Sequence, residues 1–108
     1  MFDDSLPSAA GRLHDRLQEL QQRIVLVESC TAGRVSATLA AWPGISQWLC
    51  GSLVVYRNDS KARWLGIPDD LLDNPTIGPV SAECSQLLAT AALERTPEAN
   101  WAVAVTGD

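Results

Sequence analysis

The feature that most restricts the fold is a short apolar run, Ile24-Val25-Leu26-Val27, that meets the small, polar stretch Glu28-Ser29-Cys30-Thr31-Ala32-Gly33. Aliphatic and β-branched residues with no alternating polar partner describe a strand buried on both faces, as at the centre of a layered sheet. Two further strands are predicted, Leu49 to Tyr56 with Val54 and Val55 at its centre, and Trp101 to Val105. Helical patterns lie between them. Leu13, Leu17 and Leu20 recur at helical spacing in a first helix that Ser8 can cap. Arg34 to Ala41 reads as a helix with Val35 and Leu39 inward, and Pro43-Gly44 marks a turn. Asn58 or Asp59 can cap a short helix through Leu65, closed by Gly66 and followed by Pro68. Pro68 to Asp73 adds a helical turn or two. From Ser81 onward, Cys84, Leu87, Leu88, Ala91 and Ala92 form an amphipathic stripe that ends before Pro97. The alternation predicts one α/β domain over residues 1–108 with at least partly parallel pairing. The last strand runs into Thr106-Gly107-Asp108, so an uncovered sheet edge is expected.

Charge and cysteine usage exclude several functions. A net charge of -5 opposes attraction to nucleic acid or anionic membranes, and Arg12, Arg16 and Arg23 alternate with acidic and neutral residues. No apolar run approaches the roughly 18 residues of a membrane span. The acidic start Met1-Phe2-Asp3-Asp4 lacks the basic and apolar regions of a secretory signal, which predicts a cytoplasmic protein. Cys30, Cys50 and Cys84 are odd in number and show no C-x-x-C spacing, and His14 is the only histidine. A zinc site of the Cys/His kind is thereby nearly excluded, and buried thiols are expected. A Ser-His-Asp triad would have to use His14, which the helical pattern places on a solvated side.

Two constellations remain as candidates for chemistry. Ser29 to Gly33 and Thr106-Gly107 both follow strands, and in open α/β sheets the ligand crevice lies at the carboxyl ends. Thr31 to Gly33 would open the next helix, whose free N–H groups suit a phosphate or an oxyanion. Small residues at such a turn can equally serve backbone geometry alone. The second constellation is Tyr56, the only tyrosine, with Lys61, the only lysine among 8 basic residues. Arginine cannot give up its proton, whereas lysine serves as a base once its pKa falls. A lysine in the first turn of a helix also meets the positive dipole end, which disfavours its charge. The alternative is a solvated lysine. Glu28 adjoins Ser29, but neighbours on a strand face opposite ways, so a capping or ion-pairing role is expected for it. Trp42, Trp48, Trp64 and Trp101 could stack on a ring, with core packing the default.

These blocks resemble one family in order and spacing. Glu28 to Gly33 is similar to the ESCTGG or ESCTAG signature of the CinA C-terminal domain family. Pro43-Gly44-Ile45-Ser46 resembles its PGxS turn, and Gly51 to Tyr56 with Asn58 and Lys61 resembles its G-x-x-x-x-Y-x-N-x-x-K segment. Leu65-Gly66-Ile67 resembles its LGV step, Gly78-Pro79-Val80-Ser81 its G-x-VS helix entry, and Val105-Thr106-Gly107 the start of its TGIAGP loop. The likeness runs from about residue 9 to the end of the chain.

The resemblance implies a three-layer α/β/α domain with a mixed sheet, incomplete at its C-terminus, and a homodimer. It also implies a nicotinamide-nucleotide amidase that converts nicotinamide mononucleotide and water to nicotinate mononucleotide and ammonia, with no metal and no cofactor. Carried over by position, Ser29 is the nucleophile, with Lys61 and Tyr56 as its activating pair. Thr31, Ala32, Gly33 and Ser46 bind phosphate or orient the amide, and Thr106 and Gly107 line the pocket. Asp108 stands where the family usually has an apolar residue, and the rest of that loop, with further strands and a basic residue, is expected to be missing. The competing expectation is therefore an inactive, shortened member that binds a nucleotide or a protein. DNA binding has no support in an acidic chain without a recognition element.

Overall fold

The computed structural model describes residues 6–107. Met1 to Asp4 and Asp108, which entered the sequence reading, lie outside them. In chain order the elements are α1 (Leu6–Leu20), β1 (Ile24–Glu28), α2 (Arg34–Ala40), a single 3-10 turn (Ile45–Gln47), β2 (Leu49–Val54), α3 (Asn58–Leu65), α4 (Asp69–Leu72), α5 (Ala82–Glu94) and β3 (Trp101–Val105).

The apolar run at Ile24 forms the central strand. Every residue of β1 is buried, and the strand order is β2-β1-β3. Both pairings are parallel, so an antiparallel member of a mixed sheet would have to come from outside these three strands. Alternation sends Val25 and Val27 to one face, where they pack with Leu65 of α3, Leu72 of α4 and Cys84 and Leu88 of α5. Ile24 and Leu26 face the other way, towards Leu17 of α1 and Leu39 of α2. The result is three layers, helix on sheet on helix. Each fully buried leucine, such as Leu39 or Leu88, contributes about 1.5–3 kcal/mol.

Some local expectations shift. Helix α1 begins at Leu6, ahead of Ser8, whose hydroxyl accepts from Arg12 Nη1 at 3.0 Å. Arg57 occupies the N-cap of α3 without a side-chain bond, so neither Asn58 nor Asp59 caps it. Strand β2 stops at Val54 because Val55 leaves the ladder, although its N–H still donates to the Glu28 carbonyl at 2.9 Å. Gly66 closes α3 with φ 70, the left-handed conformation only glycine adopts without penalty. Ser81 caps α5, its hydroxyl accepting from Cys84 N at 3.0 Å. His14 is buried, not solvated. Its ring packs tilted against Trp42, with centroids 6.3 Å apart, because Trp42 folds back from the end of α2 onto α1.

Candidate active site

The three strands end level, with Glu28 opposite Val54 on one side and Val105 on the other. Helix α2, which follows β1, covers one face, and α3, which follows β2, covers the other. The chain thus divides between the carboxyl ends of β1 and β2, where open α/β sheets form their crevice. Ser29 is the first residue beyond β1. It is buried, and its N–H donates to the Val105 carbonyl at 3.0 Å, which pins it between β1 and β3.

Glu28 and Ser29 part company at this point. The Glu28 carboxylate turns to the α2 side and is fully buried. Its Oε1 accepts from Thr31 Oγ1 at 2.6 Å and Val35 N at 2.9 Å, and its Oε2 from Ser36 N at 2.9 Å and from the Ser36 hydroxyl. Burial works to raise the carboxyl, but the bonds from Ser36, Thr31 and Val35 outweigh it and hold its pKa at about 2. Glu28 is therefore an anion that caps α2, whose own N-cap, Gly33, has no side chain to offer. The capping role expected from sequence is the one observed.

Lys61 lies on the opposite layer. It is 2% exposed, and Nζ donates to the Tyr56 carbonyl at 3.2 Å. Burial pushes its pKa below the usual lysine range, opposed by the thiols of Cys84 and Cys30. Cys84 is fully buried on α5, and burial raises its thiol while Lys61 works the other way. The solvated-lysine alternative is excluded. Tyr56, by contrast, is 64% exposed, and its bond to Lys61 is made through the main-chain carbonyl.

The remaining predicted residues divide. Thr31 engages Glu28, and Ala32 and Gly33 complete the turn with φ of 50 and 99. Thr106 Oγ1 lies 3.0 Å from Ser85 Oγ, and a Cβ at Gly107 would stand 3.2 Å from Cys30 Sγ, so both residues reach the Ser29 end of the sheet. Ser46 does not. It sits exposed on the 3-10 turn before β2, at the amino ends of the strands, in a hollow shared with Arg23, Gln47 and Glu98. Trp48 and Trp101 occupy that same far end, Trp42 packs on His14, and Trp64 projects from α3. None of them joins Ser29. Nothing in the spacing of the sequence marks Cys84 and Ser85 as neighbours of the site. The signal was topological: a helix leading into a parallel strand starts at the carboxyl end of the sheet. Among the described residues no cluster of His, Cys, Asp or Glu could hold a metal ion, and no helix is long and apolar enough to cross a membrane.

Comparison with known proteins agrees with this fold. The family model described as CinA C-terminal domain matches residues 7–108. A CinA-like protein of Prochlorococcus marinus is 38% identical over 99% of this chain, which spans 24% of that protein. A Pseudomonas putida protein named nicotinamide-nucleotide amidohydrolase PncC is 33% identical over 96% of the chain, which spans 63% of it. The crystal structure of the competence/damage inducible protein CihA from Agrobacterium tumefaciens superposes with a TM-score of 0.87 at 34% identity. That superposition covers 99% of this chain and 63% of the other. The chain thus spans about a quarter of the first curated relatives it matches.

Proposed function

Because the chain belongs to the CinA C-terminal domain family, we propose that it hydrolyses nicotinamide mononucleotide to nicotinate mononucleotide and ammonia through a serine nucleophile. The observation that carries this reading is Lys61: the chain's only lysine is buried just past the carboxyl end of β2, bonded to the Tyr56 carbonyl and within electrostatic reach of Cys30, with its pKa lowered by burial. The Pseudomonas relative, by its name, supports the substrate class.

In this reading Ser29 Oγ attacks the carboxamide carbon while neutral Lys61 takes the hydroxyl proton. The C–N bond breaks as that proton passes to the leaving nitrogen, and ammonia departs. Water then attacks the acyl-enzyme, giving the carboxylate and restoring the Ser29 hydroxyl. Tyr56 contributes its carbonyl to Lys61, and its exposed phenol stands at the rim to orient the incoming substrate. Thr106 and Gly107 wall the crevice, and Thr31, Ala32 and Gly33 shape the turn. The reading includes no metal or cofactor, a cytoplasmic location and a homodimer. Ser46, at the far end of its own sheet, takes no part within one chain.

A second reading, a nucleotide-binding or protein-interaction module without turnover, has one observation in its favour. Lys61 Nζ is bonded to the Tyr56 carbonyl, not to Ser29 Oγ. Ammonia release from nicotinamide mononucleotide decides between the two. The first reading expects turnover that Ser29→Ala and Lys61→Ala each abolish. Turnover surviving in Ser29→Ala would end the serine mechanism. A folded wild-type chain that binds the nucleotide without releasing ammonia would establish the second.

A further inference from the structure

The turn that presents Ser29 is held by a group that touches no substrate. Helix α2 starts without a local cap, because Gly33 occupies that position in the left-handed conformation. The cap comes instead from Glu28, the last residue of β1, which binds the N–H groups of Val35 and Ser36 and both neighbouring hydroxyls. A strand end and a helix start are thus tied together across the Ser29–Gly33 segment. The Ser36 hydroxyl extends the tie to β2, 2.5 Å from Ser52 Oγ. Within the segment, Ala32 N donates to Ser29 O and Arg34 N to Thr31 O, each at 3.0 Å. The N–H groups of Cys30, Thr31 and Gly33 make no hydrogen bond within the described residues.

These bonds decide which donors can serve an oxyanion. Within the first turn of α2 the Val35 and Ser36 N–H groups are taken by the Glu28 carboxylate and the Arg34 N–H by the Thr31 carbonyl, whereas Thr31 and Gly33, of the segment expected from sequence to cradle an anion, keep free N–H groups. The carboxylate charge also offsets the positive end of the helix. A developing oxyanion on a carbonyl attacked by Ser29 must meet the N–H groups next to the nucleophile, the arrangement used at sharp strand-to-helix turns.

We propose that Glu28 is the positioning residue of the Ser29 turn: by clamping α2 to β1 it aims the Ser29 hydroxyl and leaves the Cys30 and Thr31 N–H groups free for the oxyanion. The inference rests on the hydrolytic reading above. Glu28 acts before any substrate arrives. Its effect is on the geometry of attack and not on nucleotide affinity, since a small misplacement of reacting groups lowers turnover about a hundredfold.

The test is steady-state hydrolysis of nicotinamide mononucleotide by Glu28→Gln, which keeps the shape of the side chain but turns an acceptor into a donor. The expected result is kcat lower by roughly ten- to hundredfold with KM within about threefold, and an unchanged circular dichroism spectrum. Wild-type kcat per folded molecule, or a loss matching the unfolded fraction, overturns the proposal. If Glu28→Gln does not fold, Ser36→Ala takes its place, removing one donor, and an unchanged kcat there overturns it equally. If the wild type releases no ammonia, the hydrolytic reading fails and amide exchange decides the positioning claim. Val35 and Ser36 amides should then exchange at least about tenfold faster in Glu28→Gln, with displaced Cys30 and Thr31 resonances. Exchange and resonances like those of wild type would overturn it.

Discussion

Lys61 is anchored to the main chain of Tyr56, its Nζ donating to the carbonyl at 3.2 Å, while the tyrosine ring faces outward. The anchor does not depend on the side chain at position 56. Tyr56→Phe should therefore leave stability within about 0.5 kcal/mol of wild type. Under the amidase reading it should raise KM several-fold with kcat within about threefold, because the phenol sits at the rim. A large fall in kcat at unchanged KM would instead make the hydroxyl part of the proton path.

Lys61 itself strains the fold. A buried lysine whose pKa lies below its ordinary 10.5 penalises the folded state at every pH where the folded form must carry the charge. The penalty is complete below the folded pKa and fades as pH rises towards 10.5. Lys61→Met should abolish turnover, by about a hundredfold or more, yet unfold at higher urea than wild type at pH 7. That advantage should shrink on approaching pH 10.5. A Met variant less stable than wild type at neutral pH would mean the amine is better solvated than its burial indicates.

Glu28 behaves in the opposite sense. Its carboxyl titrates near 2 in the folded chain against an ordinary 4.5, so the native state favours the anion. The difference is worth about 3 kcal/mol, fully present above pH 4.5 and lost as pH falls towards 2. Urea unfolding of wild type and Glu28→Gln should differ most near pH 6 and draw together as pH falls towards 2. Curves that stay equally far apart at both pH values would show that the carboxylate charge is not what caps α2.

Gly11 sets two terms against each other. Alanine favours a helix by about 1 kcal/mol over glycine, but a Cβ at position 11 would lie 2.6 Å from the Trp42 ring. That ring is held against His14, so overpacking of about 1–3 kcal/mol should prevail. Gly11→Ala is expected to lower the melting temperature, and a rise would mean that Trp42 moves aside freely.

Much of this arrangement is legible in the residues. The unbroken apolar character of Ile24 to Val27 announces a strand covered on both sides, and strand alternation separates Glu28 from Ser29. The solitary Lys61 stands out against a chain that otherwise uses arginine. What spacing along the chain does not reveal is direction in space. Ser46 follows a turn that resembles a functional block, yet that turn lies at the amino ends of the strands, away from Ser29. His14 reads as solvated on its own helix because the residue that covers it, Trp42, comes from another. The Glu28 clamp spans several residues and two elements, so no local capping pattern marks it. The outward pose of Tyr56 follows from where β2 ends, and its apolar pattern runs on through Val55.

The place of β1 between its two parallel neighbours also bears on how the chain reaches its native state. Arg23, at the entry to β1, bonds Asn100, at the entry to β3, across 77 residues. On a ribosome, β1 emerges early and finds β2 soon afterwards, but its other edge waits until Trp101 to Val105 are clear of the exit tunnel. Sheet assembly with such distant partners is slow, because the chain entropy of closing the loop is lost before the pairing is gained. Until β3 is in place, one edge of the strand that presents Ser29 has no partner, and the Ser29–Val105 bond that pins the nucleophile cannot form.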